Sequence, residues 1–425
     1  MRVLFLIGSY YPYYSANGLC VKNVIDECVS RGIEVTCIAD AVDGYKDESV
    51  IDGAKVVRVK PRLILRWQQY VSTINNTKTV MRIDSIFRLL NRAKMFLMSS
   101  RWPQVSPLYT RRYSDAAIRL HEIERFDVVV SAYTPIDCLL AGYDLKRQYP
   151  EIAFIPYYLD AFAGGWGPSR WSQEKIEQRT RRYEEIIDER ADAIVSMNSS
   201  RPYHENNPLS PIIQTKRIYL DVPMMTDPKQ ERVRQRQAAR PYVLYAGCIP
   251  FPKRDPRPVL DLMVEVCNRL DIDFILVGEC SVPSLFDSYI KKSEGRIKYL
   301  GWQDKASIEK LEVSASAFVN IGSENPNTIP CKIFEYMAHL KPIISTFRIE
   351  DEPSISYLKE YGHVWIMDER LSMSSHVIDD ACSFLQRYER FEIPSDACSR
   401  KFQKSRPGAF VDVIEGFGNV DRIDN

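Results

Sequence analysis

The stretch NIGSENPNTIPCKIFEYMAHLKPIIST, residues 320–346, is the most informative part of this 425-residue chain. A loop rich in Asn, Pro and Ser leads into an amphipathic helical pattern that carries Lys332 and Glu335. After the helix, Pro342 opens an apolar β-branched run that is typical of a buried strand. In such a strand–loop–helix–strand arrangement, unpaired N–H groups at the helix N-terminus face an anionic ligand. Glu335, one to two turns into the helix, can accept hydrogen bonds from hydroxyl groups. The segment therefore predicts a ligand that is both anionic and hydroxylated, such as a nucleotide sugar.

The alternation of strands and helices extends through the whole chain. Apolar strand patterns occur at 2–8, 34–39, 55–59, 126–132, 153–160 and 191–198, and again at 241–247, 273–278, 296–301, 316–322, 342–346 and 363–367. Near-continuous apolar strands separated by helical patterns indicate parallel sheets that are covered on both faces. We therefore predict an α/β fold with two Rossmann-like, doubly wound parallel-sheet domains that face each other across a cleft.

The polar segment 226–240 has no apolar periodicity and is the predicted linker. It separates an N-terminal domain, 1–225, from a C-terminal domain, 241–395. Residues 396–425 contain a helical pattern that is able to pack back onto the N-terminal domain.

Composition excludes few classes of function. The net charge is +1, and no apolar segment is long enough to cross a bilayer. The first apolar run is too short for a signal peptide and is better interpreted as a buried strand. The ten cysteines form no CxxC pair and no metal-ligand spacing with the five histidines. They are typical of free thiols in a reducing compartment, so we expect a cytoplasmic protein.

Residues 58–113 form a strongly basic insertion that contains one acid, Asp84. Within it, apolar residues follow helical spacing at 83, 86, 87, 90, 93 and 97. Two interpretations stay open: a helix that packs on its own domain, or an interfacial helix that contacts anionic lipid at the inner face of the plasma membrane. Nucleic-acid binding is not predicted, because no recognised motif supports it.

Four stretches carry a resemblance to a known family: YYPYYSANGLCVKNV (10–24), VLYAGCIPFPKRDP (243–256), IKYLGWQDKASIEKLEVSASAFVNI (297–321) and NTIPCKIFEYMAHLKPII (327–344). The chain resembles retaining glycosyltransferases of the GT-B fold, close to glycosyltransferase family 4 (group 1). The last stretch is the most specific, because it is similar to the Pro-x-Lys-x-Phe-Glu-Tyr-Met-Ala variant of the family's Glu-seven residues-Glu motif. The resemblance spans most of the chain, and it implies that the N-terminal domain binds the acceptor and the C-terminal domain binds the nucleotide-sugar donor.

The basic segment after Gly247 is a candidate for stabilising the leaving nucleoside diphosphate. Negative charge builds on the β-phosphate as the bond to the sugar breaks, and cations placed there stabilise the transition state. Lys253 and Arg254 are the candidates, and by resemblance Lys253 is the phosphate-binding lysine. The family's arginine directly after the glycine is replaced by Cys248, so Arg254 or Arg257 must substitute.

The resemblance also assigns roles around the quoted motif. Glu335 corresponds to the glutamate that holds the ribose hydroxyls, whereas the first glutamate of the motif is replaced by Asn327. The donor sugar is expected at Asn327 and at the main-chain amides of Thr328 and Ile329. Glu324 is a lower-ranked substitute for the missing acid. Lys332 is predicted either to bind the phosphates or to cap the loop.

In the N-terminal half, Gly18 is predicted to let the backbone approach the diphosphate or the acceptor. Asp160, at the end of a strand, resembles the family's acid near the reaction centre, although the histidine that often precedes that acid is Leu159. The family needs no metal, and Asp271 and Asp273 are interpreted as structural. We expect no cofactor other than the nucleotide sugar, which is a co-substrate.

The resulting expectation is a hexosyltransferase-type enzyme. It would transfer a sugar from a UDP- or GDP-sugar to a glycan or lipid-linked acceptor, with retention, in cell-surface polysaccharide synthesis. Two alternatives remain: a sugar-nucleotide epimerase, and a non-catalytic scaffold subunit of the same fold. The replacements at Asn327, Cys248 and Leu159 motivate the second alternative.

Overall fold

The computed structural model describes residues 1–12, 14–64, 66–67, 78–159, 162, 167–168, 170–226, 240–324, 329–388, 398 and 400–418. The chain divides into two compact units. The N-terminal unit is Met1–Pro223 together with Pro407–Asn425, and the C-terminal unit is Met224–Arg406. Nearly all of the predicted linker lies outside the described residues.

The N-terminal unit is built on an eight-stranded sheet with the order β3-β4-β2-β1-β5-β6-β7-β8. All neighbouring strands are parallel except β3 and β4, which are antiparallel. The strands are β1 (Arg2–Leu6), β2 (Glu34–Asp40), β3 (Glu48–Ile51), β4 (Ala54–Val59), β5 (Val128–Tyr133), β6 (Ala153–Tyr158), β7 (Ile194–Met197) and β8 (Arg217–Leu220).

Helices connect these strands and cover the sheet. They are α1 (Ala16–Ser30), α2 (Lys78–Leu97), α3 (Pro107–Glu124), α4 (Ile136–Gln148), α5 (Gln173–Glu189), α6 (Arg201–Asn206) and α7 (Pro211–Lys216). Strand β1 is almost wholly buried, since four of its five residues are inaccessible to solvent. Burial on both faces explains why the parallel strands have continuous apolar sequences.

The last helix, α14 (Pro407–Gly418), belongs to the N-terminal unit. The ring of Phe410 lies 4.4 Å from the ring of Tyr157, measured between centroids. The guanidinium of Arg31, at the end of α1, pairs with Asp412 at 2.7 Å and Glu415 at 2.9 Å. The chain therefore leaves the N-terminal unit after Pro223 and returns to it at Pro407.

The C-terminal unit contains a six-stranded parallel sheet with the order β11-β10-β9-β12-β13-β14. Its two chain ends lie side by side, because the N–H of Met225 donates to the carbonyl of Ser405 at 3.0 Å. The strands are β9 (Tyr242–Ala246), β10 (Asp273–Val277), β11 (Ile297–Tyr299), β12 (Ala317–Asn320), β13 (Ile343–Phe347) and β14 (Val364–Asp368). The helices are α8 (Arg257–Leu270), α9 (Phe286–Lys292), α10 (Lys305–Ser314), α11 (Lys332–Ala338), α12 (Pro353–Tyr361) and α13 (Ser375–Tyr388).

Two wound parallel sheets, with strands at every predicted position, confirm the predicted α/β architecture. The sequence reading missed two edge strands, β3 and β8. It also predicted the helix of the basic insertion, which the structure confirms as α2. No helix among the described residues is both long enough and apolar enough to span a membrane.

Candidate functional site

The candidate site lies at the carboxyl edge of the C-terminal sheet, where loops after four neighbouring strands converge. The loop after β9, residues 247–256, contacts the loop after β12: the N–H of Glu324 donates to the carbonyl of Lys253 at 3.3 Å. Arg348, directly after β13, donates from Nη1 to the carbonyl of Pro252 at 3.3 Å. Ligands bind at this edge in open α/β sheets.

Two glycines let the loops after β9 and β10 approach each other closely. Gly278 has φ of +126°, and a Cβ there would lie 2.2 Å from the carbonyl oxygen of Gly247. The N–H of Gly247 donates to the carbonyl of Val277 at 2.9 Å. Gly247 thus belongs to a fixed backbone corner at the start of the basic loop, and its predicted role in donor binding stays a prediction.

The helix of the opening motif, α11, is only seven residues long. It begins at Lys332, so Glu335 lies in its first turn and not further along, as the sequence suggested. A carboxylate in the first turn already complements the positive end of the helix dipole. We therefore assign no anion-binding role to this N-terminus.

Lys332 and Glu335 form a tightly packed charge cluster with a residue that the sequence reading missed, Glu312 of α10. The ammonium of Lys332 lies 2.6 Å from Oε2 of Glu335 and 3.1 Å from Oε1 of Glu312. The Glu312 side chain is 5% exposed and that of Glu335 is 17% exposed. One lysine therefore bridges two mostly buried carboxylates and fixes one oxygen of Glu335.

These environments shift the pKa values of the two acids in opposite directions. Burial raises the pKa of Glu335, and the adjacent ammonium of Lys332 opposes that rise. Although burial also disfavours ionisation of Glu312, the charge of Lys332 and the contact with His339 hold the pKa of Glu312 at about 2. Glu335 consequently depends on Lys332 to stay ionised.

The residue after Glu335 anchors the helix to the sheet. The buried hydroxyl of Tyr336 accepts a hydrogen bond from the N–H of Ala246 at 2.8 Å. Its ring stacks on Phe318 of β12, with centroids 4.4 Å apart and planes inclined by 4°. Since Ala246 immediately precedes Gly247, the anchor fixes Glu335 relative to the basic loop.

The basic residues of that loop have different environments. Lys253 is exposed, whereas Arg254 is partly buried and donates from Nη1 to the hydroxyl of Tyr245 and the carbonyl of Cys248, both at 3.2 Å. The buried Nε of Arg254 has no hydrogen-bond partner. Arg257 instead forms a two-pronged pair with Asp255, at 2.6 Å for the closest contact. Arg254 is thus better placed than Arg257 to substitute for the missing arginine.

Three further charged residues at this edge were missed by the sequence reading: Arg348, Glu352 and Glu369. Arg348 pairs through Nε with Glu369 at 3.0 Å and through Nη1 with Glu324 at 3.1 Å. Burial raises the pKa of Glu369 to about 7, and it also raises the pKa of Glu352. A charged residue directly after a strand was the only available signal for Arg348 and Glu369.

Other predicted residues have a structural explanation or lie outside the described residues. Gly18 is buried in α1, and a Cβ there would lie 2.3 Å from the carbonyl oxygen of Ser9, so its own chain already requires a glycine. The side chain of Ile329 is buried. Asp160, Asn327 and Thr328 lie outside the described residues, and their roles stay predictions.

The cysteine and carboxylate side chains of the described residues do not form a metal centre. All ten cysteines are free thiols, and Cys248 is exposed. The described part of the chain contains no group of three or more His, Cys, Asp and Glu side chains that could hold a metal ion. Asp273 is held in ion pairs with Lys298 at 2.7 Å and Arg240 at 3.6 Å, in keeping with a structural role.

Solved structures with the same architecture cover nearly the whole chain. A glycosyltransferase from Rickettsia africae aligns over 99% of both chains, with a TM-score of 0.58 and 9% sequence identity. The Anabaena protein HepE, in complex with UDP, aligns over 99% of this chain and 100% of its own, with a TM-score of 0.55 and 14% identity. The catalytic domain of starch synthase IV from Arabidopsis thaliana, bound to ADP and acarbose, aligns over 98% of both chains, with a TM-score of 0.55 and 12% identity.

The fold is GT-B. This similarity confirms the predicted fold class, and at such low identity it shows the fold alone. No protein-family model matches the sequence, and no curated protein is significantly similar to it.

Proposed function

We propose that the protein is a glycosyltransferase that moves a sugar from a UDP- or GDP-sugar to a glycan or lipid-linked acceptor, with retention. The observation that carries the proposal is Glu335, a mostly buried carboxylate with one oxygen fixed by Lys332. It lies on a helix that is anchored directly beside the basic loop. A carboxylate held in this way is suited to accept hydrogen bonds from the ribose hydroxyls of a nucleotide.

The proposed chemistry depends mainly on electrostatics. Lys253 and Arg254 would stabilise the charge that develops on the β-phosphate of the leaving nucleoside diphosphate. By resemblance to retaining members of family 4, the acceptor attacks from the face that the leaving group vacates, and the phosphate takes the acceptor proton. Asn327 would hold a sugar hydroxyl, together with the amides of Thr328 and Ile329. Asp160 would lie near the reaction centre. We expect no metal requirement.

Acceptor binding is proposed for the N-terminal unit, and cell-surface polysaccharide synthesis is the proposed pathway. The basic helix α2 favours a cytoplasmic enzyme that contacts the inner face of the plasma membrane. Several of its apolar side chains are exposed, among them Ile86, Leu90 and Leu97, the last to 75%. Phe87 instead stacks on Trp67, with ring centroids 4.2 Å apart. An exposed apolar face on a basic helix is typical of interfacial binding.

Release of nucleoside diphosphate from the donor distinguishes the proposed transferase from the scaffold and the epimerase. The protein is incubated with UDP-, GDP- and ADP-sugars, with and without extracted lipid, and free nucleoside diphosphate is measured. Release that depends on lipid or glycan supports the transferase. Nucleotide binding without release from any donor would favour the scaffold, and conversion of one nucleotide sugar to another without an acceptor would favour the epimerase.

Vesicle cosedimentation tests the membrane contact. We expect binding to vesicles that contain anionic phosphatidylglycerol, weakened by salt and by Leu90→Glu combined with Leu97→Glu. A matched control is Ile123→Glu, on another exposed apolar residue of the same unit. Binding that is unaffected by the α2 substitutions, or equal on neutral vesicles, would contradict the proposal.

A further inference from the structure

Arg348 occupies a position from which it can reach both loops of the candidate donor site. It follows β13 directly, and its guanidinium lies between Glu369 and Glu324, at 3.0 and 3.1 Å. The same Nη1 that faces Glu324 donates to the carbonyl of Pro252, one residue before Lys253. Arg348 is therefore adjacent to the segment proposed to bind phosphate, although 95 positions separate it from Lys253 in sequence.

The two carboxylates that bind Arg348 differ in burial. Glu369 is 2% exposed and also accepts a hydrogen bond from the hydroxyl of Thr346 at 2.5 Å. Glu324 is 54% exposed. An ion pair with such an exposed partner contributes about 0–1 kcal/mol, so it can be exchanged at little cost. Glu369 is thus the fixed support of Arg348, and Glu324 is an exchangeable partner.

In the loop after β9, Lys253 is exposed, whereas Arg254 and Arg257 are bonded to other groups of the protein. Cys248 stands where a cation is expected, and Nη1 of Arg254 is already bonded to Tyr245 and Cys248. The guanidinium fork of an arginine matches the geometry of a phosphate group, as it matches that of a carboxylate. The Glu324 carboxylate beside Arg348, whose side chain is 25% exposed, therefore occupies a place that also suits a phosphate oxygen.

We propose that Arg348 binds the diphosphate of the donor, and that Glu324 holds the place of a phosphate oxygen until the nucleotide displaces it. This inference rests on the proposed donor site. Arg348, which follows a different strand, would supply the positive charge that is missing at position 248. The same inference assigns Glu324 to phosphate competition and not to the sugar.

The electrostatics around Glu369 support this assignment. Because burial raises the pKa of Glu369 to about 7, this carboxyl is partly protonated near neutral pH. Arg348 then retains positive charge that Glu369 does not cancel. That charge is available to a diphosphate once Glu324 has moved away.

Calorimetry with UDP, GDP and ADP tests the proposal, using wild type, Arg348→Gln, Glu324→Gln and Arg370→Gln. Arg348→Gln should weaken binding of the nucleoside diphosphate that wild type prefers by roughly tenfold or more. Glu324→Gln should strengthen it by about two- to fivefold, since a competing anion is removed. Arg370→Gln is the matched control and should have no effect, because Arg370 is exposed and pairs with Asp368 at 2.7 Å.

The Glu324 variant distinguishes phosphate competition from a structural role. If the Glu324–Arg348 pair only tethers the loop, Glu324→Gln will weaken nucleotide binding or leave it unchanged, and the proposal is wrong. In the Arg348→Gln background the gain from Glu324→Gln should vanish. Arg348→Lys, which keeps a cation beside Glu369, should fold normally and bind more weakly than wild type. If the wild-type protein binds no nucleoside diphosphate, the proposed donor site itself is wrong. If wild type and Arg348→Gln bind the nucleoside diphosphate equally well, only the role of Arg348 is wrong.

Discussion

Replacing Lys332 by Met should affect both the stability of the C-terminal unit and the affinity of the site. The substitution keeps the length of the side chain but leaves Glu312 and Glu335 without the cation that lies within 3.1 Å of both. Removing one partner of a buried ion pair costs about 3–5 kcal/mol. Because the Lys332 side chain is 30% exposed, water screens part of this loss. We expect the free energy of unfolding to fall by about 2–3 kcal/mol.

The same change should make nucleotide affinity depend on pH. Burial already raises the pKa of Glu335, and loss of the ammonium raises it further. A protonated Glu335 loses acceptor capacity for ribose hydroxyls, so the variant should bind weakly at acidic pH and recover as the pH rises into the alkaline range. Glu312 and Lys305 also face Glu335, and adding Glu312→Gln to the variant should restore part of the affinity.

Urea unfolding and calorimetric titration across this pH range are the assays. Lys310→Met is the matched control, since Lys310 is an exposed residue of the same helix as Glu312. An unfolding free energy within about 0.5 kcal/mol of wild type would refute the ion-pair argument. An affinity loss that is equal at every pH would refute the charge coupling to Glu335.

Three further predictions concern other parts of the fold. Gly278→Ala should lower the unfolding free energy by more than about 2 kcal/mol and weaken nucleotide binding, because a Cβ at φ +126° would lie 2.2 Å from the carbonyl oxygen of Gly247. Unfolding in urea with the stability of wild type would contradict this. Burial raises the pKa of Glu369 to about 7, so the contribution of this carboxyl to stability is fully present below its ordinary pKa of 4.5 and is lost as the pH rises through 7. The unfolding free energy of Glu369→Gln, relative to that of wild type, should therefore be higher at about pH 8 than at about pH 5. A difference between variant and wild type that does not change with pH would contradict this. Arg31→Ala should destabilise the N-terminal unit by only about 1 kcal/mol, with the loss reduced in salt, because its partners on α14 are exposed; a salt-independent loss would point to packing instead.

Burial explains which strands the sequence revealed. Interior parallel strands are apolar on both faces, so β1 and β9 are recognisable as uninterrupted runs. Strand β3 is half-exposed and antiparallel, and its residues carry no such run. Strand β8 begins with Arg217, whose guanidinium pairs with buried Asp188 at 2.6 Å. A charge that is neutralised by a distant partner cannot be distinguished from a surface charge in sequence.

The same distinction applies to the candidate site. Glu335 was found because its neighbours form one contiguous motif. Arg348 and Glu369 were missed because they follow separate strands and meet only at the sheet edge. Lys332 was recognised, but its position between two acids depends on Glu312, which lies 20 positions earlier. Sequence patterns identify local groups, whereas the pairing of charges is set by the tertiary fold.

The path of the chain between the two units has a practical consequence for expression. The segment Met224–Arg406 is inserted into the N-terminal unit, and its ends are held together by the Met225–Ser405 hydrogen bond. Those adjacent ends make this segment a natural candidate for independent production. A truncation after Arg406, by contrast, would not trim a dispensable tail. It would remove the ring of Phe410 from Tyr157 and damage the half of the protein that is most distant from the cut in sequence.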